Sequence, residues 1–162
     1  MCIIHNIIIR ILNCIYLQAP NVSNPKDIAD FTIFMDSWLH FIHEHHGNEE
    51  ALFFPWLEED IGVPGYMEKN VDQHHAFAPG LKLFEDYVNG LKAGKETFDG
   101  KRVTEIIDGF GEVLTIHLKE EVEFFEGLES FGNKINWQAW AKRVQDHAVK
   151  TSDKVLRSLS LV

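Results

Sequence analysis

The sequence predicts an all-α protein, an up-down-up-down four-helix bundle with a short extra C-terminal helix. Four long blocks repeat apolar residues at helical spacing, proline and glycine clusters separate these blocks, and no segment shows the sustained alternation of a strand. Short connections between long helices make consecutive helices antiparallel. With 162 residues, 45% of them apolar, the chain can bury the core of one domain. We place the bundle in residues 1–130 and a C-terminal helix and tail, packed on the bundle, in residues 131–162.

The first helix is predicted in residues 1–17, MCIIHNIIIRILNCIYL, ahead of Pro20 and Pro25. A signal peptide and a membrane span are the alternatives. The block lacks a basic start and a convincing cleavage site, and polar residues interrupt its apolar run. We therefore expect an amphipathic bundle helix. Its predicted stripe consists of His5, Ile8, Ile9, Leu12 and Tyr16.

Three further bundle helices follow along the chain. The second block runs from about residue 26 to 59, the third from about 66 to 91, and the fourth from about 101 to 128. Pro79-Gly80 predicts an interruption within the third block. The extra helix is expected from residue 137 to about 155.

Charge and cysteine content restrict the function classes. The chain has 15 Lys and Arg against 25 Asp and Glu, a formal net charge of −10. A surface that acidic repels phosphate groups, so we expect no nucleic-acid partner and no anionic membrane partner. Cys2 and Cys14 lie about 18 Å apart on one predicted helix, too far for a disulfide. We expect buried free thiols and a reducing, cytoplasmic location.

Histidine and glutamate residues fall inside the predicted apolar stripes. In the fourth block His117 and Glu121 are four residues apart on the core-facing side, so both side chains point the same way. In the third block His74 faces the core, whereas His75 lies on a charged side. A His and a Glu are costly to bury without a partner, and a bound cation satisfies both. A hydrogen-bonded His–Glu pair is the alternative for any single helix.

The second block contains two candidate pairs. His45 with Glu49 and His46 with Glu50 both lie among apolar residues, so periodicity alone does not separate them. His43 points away from both. Each of the four helices therefore offers a core-facing histidine, and two helices add a glutamate. Such ligands suit iron, manganese, zinc or cobalt, and two carboxylates able to bridge favour a two-metal centre over a single zinc.

These stretches resemble the hemerythrin-like, HHE cation-binding family, and in particular its fungal cytosolic members. The resemblance rests on order and spacing as well as residue types, and it covers most of residues 1–130. The stretches are HNIIIRILNCIYLQAP at 5–20, HHGNEEALFFPWLE at 45–58, QHHAF at 73–77 and HLKEEVEFF at 117–125.

The resemblance implies two iron ions, a non-haem di-iron centre inside the bundle. The family's second-helix pair precedes a Leu-Phe-Pro-like segment, which selects His45 and Glu49 over His46 and Glu50. Glu49 and Glu121 would bridge the metals, with His5 and His45 on one iron and the other two histidines on the second. The implied ligand set is His5, His45, Glu49, His74, His117 and Glu121.

One position departs from the oxygen-carrying members. Those proteins place a second histidine four residues after the third-helix one, where this chain has Ala78. The expected function is therefore to bind, sense or react with O2, peroxide or nitric oxide, or to handle iron. The alternatives are a redox enzyme of oxidase, peroxidase or nitric-oxide reductase type, a reversible oxygen carrier, and an interaction module with a degenerate site. The expected partner is a small diatomic or peroxide ligand, and the sequence identifies no reductase.

Overall fold

The structure is a computed structural model, and it describes residues 2–147. These residues form helices and no strands. Each long helix packs against its neighbour in the chain, and the first helix closes the bundle against the last, which confirms the predicted all-α bundle with a short extra helix. The helices are α1 (Cys2–Gln18), α2 (Pro25–Asn48), α3 (Phe54–Ile61), α4 (Glu68–Lys92), α5 (Gly100–Asp108), α6 (Gly111–Gly127) and α7 (137–147).

Helix α1 packs one face into the bundle and leaves the other exposed. Its buried stripe follows the predicted spacing, except that Ile15 is buried and the predicted members Ile9 and Tyr16 are only half-buried. By length and apolarity alone, Cys2–Asn21 could cross a membrane, a test that core helices and signal sequences also meet. The prediction of buried thiols is wrong, because Cys2 and Cys14 lie off the stripe and are exposed.

The sequence predicts the second bundle helix as one continuous block, but the structure divides it into two α-helices joined by a π-helical segment. Helix α2 begins with Asn24 as N-cap, whose side chain accepts a 2.9 Å hydrogen bond from the Lys26 amide. It passes into a π-helical segment, Glu49–Phe53, and continues as α3. The Phe54 amide donates to the Glu49 carbonyl, five residues back. This wider turn adds one residue between α2 and α3, and both helices still bury one face in the bundle.

The third and fourth bundle helices also differ from their predictions. Helix α4 continues unbroken through Pro79 and Gly80. The fourth helix, by contrast, is split into α5 and α6 at Gly109-Phe110, where the Phe110 backbone leaves the helical region. Phe110 turns into the core, and a Cβ atom on Gly80 would lie 2.6 Å from its Cβ. The glycine on α4 therefore makes room for the aromatic ring at the break in the fourth helix.

Two apolar clusters stabilise the bundle, and they leave a polar layer between them. The larger cluster surrounds Trp38, whose indole Nε1 donates to the Ile8 carbonyl at 3.1 Å. The smaller cluster surrounds Leu57 in α3 and Leu128 after α6. Buried histidine and glutamate side chains occupy the layer between these clusters.

Helix α7 contacts the second bundle helix through aromatic rings. The Trp140 ring lies 5.9 Å from the Phe53 ring, and the Arg143 guanidinium lies 4.4 Å above the Trp56 ring. The division at residue 130 stays a prediction, and the last part of the predicted extra helix, to residue 155, lies outside the described residues.

Candidate metal centre

The polar layer contains two groups of side chains able to hold a metal ion. In each group the candidate ligand atoms all lie within 4.8 Å of one another. Glu49 belongs to both groups, so a carboxylate joins them. The first group is His5, His45, Glu49 and Glu121, and the second group is His46, Glu49, His74 and His117.

The end of the second bundle helix supplies ligands to both groups. His45 and His46 are adjacent, so their side chains leave α2 about 100° apart and reach different groups. Glu49 opens the π-helical segment, three residues after one histidine and four after the other. It therefore lies on the same side as both histidines. Helices α1, α4 and α6 supply the remaining ligands from their buried stripes.

Distances within the groups match those expected around a metal ion. Two ligand atoms about 2.1 Å from one ion and at right angles lie about 3 Å apart. In the first group His5 Nε2 lies 2.9 Å from Glu121 Oε2, and His45 Nε2 lies 3.1 Å from Glu49 Oε1. In the second group His74 Nε2 lies 3.1 Å from His117 Nε2, while its distance of 3.7 Å from Glu49 Oε2 is longer than the right-angle value.

Many of these atoms are buried and lie near polar atoms of their own group only, with no hydrogen-bond partner outside it. Such atoms cost about 1–3 kcal/mol each when left unsatisfied, and a bound cation removes that cost. Their number in one layer favours a metal ion over a hydrogen-bonded network. The atoms are Nε2 of His5, His45 and His46, and both carboxylate oxygens of Glu49 and Glu121.

Partners outside the groups orient two of the imidazoles. His5 Nδ1 lies 2.9 Å from the Leu118 carbonyl oxygen, and His74 Nδ1 lies 2.7 Å from Glu50 Oε1. A carbonyl and an ionised carboxylate only accept hydrogen bonds, so each Nδ1 carries the proton. Each Nε2 then presents a lone pair to its group, the arrangement typical of metal-ligating histidines.

His117 is oriented through a chain of contacts that reaches the surface. Its Nδ1 lies 3.2 Å from Gln73 Oε1, while Gln73 Nε2 donates to Glu120 at 2.7 Å. Lys69 pairs with the same Glu120 at 2.9 Å. With Nδ1 protonated on both rings, the Nε2 lone pairs of His117 and His74 face each other at 3.1 Å. Two facing lone pairs repel each other unless both of them bind the same cation.

Burial changes the pKa of four histidines and one glutamate in the two groups. It lowers the pKa of His45 and of His117 to about 3, and neighbouring imidazoles add to the effect. Burial also lowers the pKa of His46 and His74. These histidines are therefore neutral near pH 7, as a metal ligand must be. Burial raises the pKa of Glu49, with the Glu121 carboxylate adding to the rise, so an ionised Glu49 calls for a positive neighbour.

A family model described as the hemerythrin HHE cation binding domain matches residues 4–128. The chain belongs to this family. A similar protein is "Dimeric xanthone biosynthesis cluster protein R11" from Cryptosporiopsis sp. (strain 8999), 31% identical over 145 residues. The match covers 90% of this chain and 55% of that protein, so the HHE chain spans about half the length of this relative. No solved structure matches the chain.

The six ligands predicted from the sequence all lie in the two groups of the HHE domain, although their binding of metal stays a prediction. The structure differs on the second pair, which the resemblance had excluded. It places His46 within the second group, and it places Glu50 Oε1 within hydrogen-bond distance of His74 Nδ1. It also makes Glu49 the shared carboxylate and gives Glu121 to the first group alone. The signal for His46 was present, because apolar residues flank both faces of this helix.

A pocket opens beside the second group of the HHE domain. It has a volume of about 380 Å³ and its lining includes His46, His74 and Ala78. Ala78, the position where oxygen carriers have a histidine, is exposed at this pocket. His43 and His75, which the sequence predicts to face away from the site, are exposed as well.

Proposed function

We propose that this HHE domain holds a non-haem di-iron centre that binds, senses or reacts with O2, peroxide or nitric oxide. The observation that carries the proposal is the pair of buried ligand groups sharing Glu49. Imidazole and carboxylate ligands suit iron, and a carboxylate common to two groups favours two ions over one. Iron, when bound, supplies the electrons for reaction with a small oxidant.

The chain's own residues hold and shield the centre. Each group offers four protein ligands, which leaves positions free on an ion that takes six. The two apolar clusters on either side of the layer limit the access of water. A diatomic or peroxide ligand would bind at the positions that the protein ligands leave free on each ion. Cytoplasmic location, the absence of a nucleic-acid or membrane partner, and electron supply by a reductase belong to the same proposal.

A redox enzyme using the same centre is the second candidate. The pocket beside His46 and His74 favours it, because a carrier of diatomic molecules needs no cavity of about 380 Å³. The name of the relative, "Dimeric xanthone biosynthesis cluster protein R11", also associates that protein with a biosynthesis cluster. Reversible oxygen carriage and iron handling remain the alternatives for a centre without turnover.

Anaerobic reduction followed by stopped-flow mixing tests the proposal. We expect iron-supplied protein to hold about two ions per chain, and its reduced form to change absorption on mixing with O2, hydrogen peroxide or nitric oxide. Glu49→Gln should abolish both the iron content and the absorption change. Glu44→Gln, an exposed position on the same helix, should alter neither.

One zinc ion per chain and no iron after iron-supplied expression would overturn the proposal. A long-lived and fully reversible oxygen adduct would favour the carrier. Catalytic consumption of O2 or peroxide with an added electron donor would favour the enzyme.

A further inference from the structure

The pocket beside the second ligand group lies between α2 and α4, and we call it the α2–α4 pocket. His46 and His74 line it beside the metal site, and Gly47, Phe77, Ala78 and Leu81 form much of its wall. Small residues on both helices keep it open, because a Cβ atom added to Gly47 would meet nothing within 4 Å. Ala78 faces it from the other helix.

The size of the pocket exceeds the requirement of a diatomic ligand. A molecule the size of water takes up about 30 Å³. The pocket, at about 380 Å³, is within the range of sites for small organic molecules. A diatomic ligand therefore leaves most of this space to another occupant.

Aromatic rings and one carboxylate indicate the chemistry of that occupant. The His46 ring lies 5.1 Å from the Phe77 ring and 4.4 Å from the His74 ring, so rings flank the inner end of the pocket. An aromatic ligand packs well against such rings. Glu50, bonded to His74 Nδ1 and partly exposed, has further capacity to accept a hydrogen bond from a hydroxyl group.

The lysine at the mouth of the pocket already has a partner. Lys82 pairs with Asp86 one turn along α4, and His43 lies 3.9 Å from Glu85. Among the residues that the structure describes, the pocket lining therefore contains no unpaired lysine or arginine that would bind a carboxylate or phosphate ligand, and it contains the carboxylates of Glu50 and Glu85. An uncharged molecule with a hydroxyl donor therefore fits the pocket better than an anion.

We propose that the α2–α4 pocket binds a small phenol, with its ring against Phe77 and His46 and its hydroxyl on Glu50. Binding itself depends only on the pocket. The role of the phenol as a molecule that meets the iron centre rests on the proposed function.

Calorimetric titration with phenol tests the proposal on the full chain, both as purified and after chelation. Wild type should bind phenol saturably in both forms. Ala78→Phe should weaken binding about tenfold or more, because the new ring fills the cavity. Ala76→Phe, an exposed position two residues away on the same helix, should bind phenol as wild type does.

A second pocket variant keeps the test informative if Ala78→Phe does not fold. Gly47→Leu fills the pocket from α2, and circular dichroism melting shows whether either variant folds. The proposal is overturned if wild type shows no saturable binding, or if Ala76→Phe and the pocket variants weaken it equally. Because the chelated protein is also titrated, failure of the iron assay and failure of phenol binding are separate results.

Discussion

At the scale of single residues, the centre depends on two adjacent histidines that serve different ligand groups. His45 and His46 share one helical turn with Glu49, and the three together connect the groups. Of the three, Glu49 is the most consequential, because its loss removes a carboxylate from both groups at once. Loss of either histidine removes one imidazole from one group.

His46→Ala should therefore lower the iron content from about two ions per chain to about one, because only the second group loses a ligand. Metal analysis of the purified variant measures this. His40→Ala is the matched control, since His40 is exposed on the same helix and belongs to neither group. An unchanged iron content in His46→Ala would place His46 outside the site, as the resemblance had implied.

Glu50→Ala should weaken metal binding at the second group about 10- to 100-fold, the usual effect of losing the partner that orients a ligating histidine. The reason is its 2.7 Å contact with His74 Nδ1. Competition with a chelator of known affinity gives the measurement. Glu44→Ala, exposed and without such a contact, should bind metal normally. Equal losses in the two variants would mean that general surface charge, and not His74 orientation, is responsible.

At the scale of helices, apolar periodicity predicts the existence and order of the bundle helices well, but not their interruptions. Periodicity reports which face is buried, and that face is the same on either side of the π-helical segment, Glu49–Phe53. The break at Phe110 depends on space beside Gly80 in another helix, which no local pattern reveals. His46 was left out of the predicted ligand set because the family resemblance selected one of the two pairs on this helix, whereas a helix can direct adjacent residues to two groups.

Substitution by alanine should change the free energy of unfolding in opposite directions at Gly100 and at Gly47. A Cβ atom on Gly100, at the start of α5, would lie 2.1 Å from the Ala19 carbonyl oxygen, so the backbone must shift. Gly100→Ala should lower the free energy of unfolding by about 1–3 kcal/mol. Gly47→Ala, in open space within α2, should raise it by about 0.5–1 kcal/mol because alanine restricts the unfolded chain. Urea unfolding of both variants after chelation provides the comparison, and a stable Gly100→Ala would contradict the close approach of α5 to the chain after α1.

At the scale of the whole molecule, we expect stability to depend on bound metal, because the layer of candidate ligands lies between the two apolar clusters. Chelation should lower the unfolding temperature by about 10 °C, which corresponds to about 4 kcal/mol for a metal present at 1,000 times its dissociation constant. Differential scanning calorimetry with and without chelator measures the shift. Glu49→Gln should show no further shift on chelation, since it lacks the shared ligand. A wild-type unfolding temperature that chelation leaves unchanged would argue for a hydrogen-bonded core in place of a metal centre.

The extra residue of the π-helical segment affects how this chain should be aligned with its relatives. If a relative forms a plain α-helix here, its sequence has one residue fewer between the ligands and the apolar positions of α3. An ungapped alignment anchored on Leu57 would then shift every position before the segment by one. The column holding His46 in this chain would then contain the relative's counterpart of His45. In an alignment anchored on the histidines, the positions after the segment are shifted by one residue instead. A single gap between Glu49 and Phe54 removes the conflict, so ligands in such relatives should be assigned only after it has been introduced.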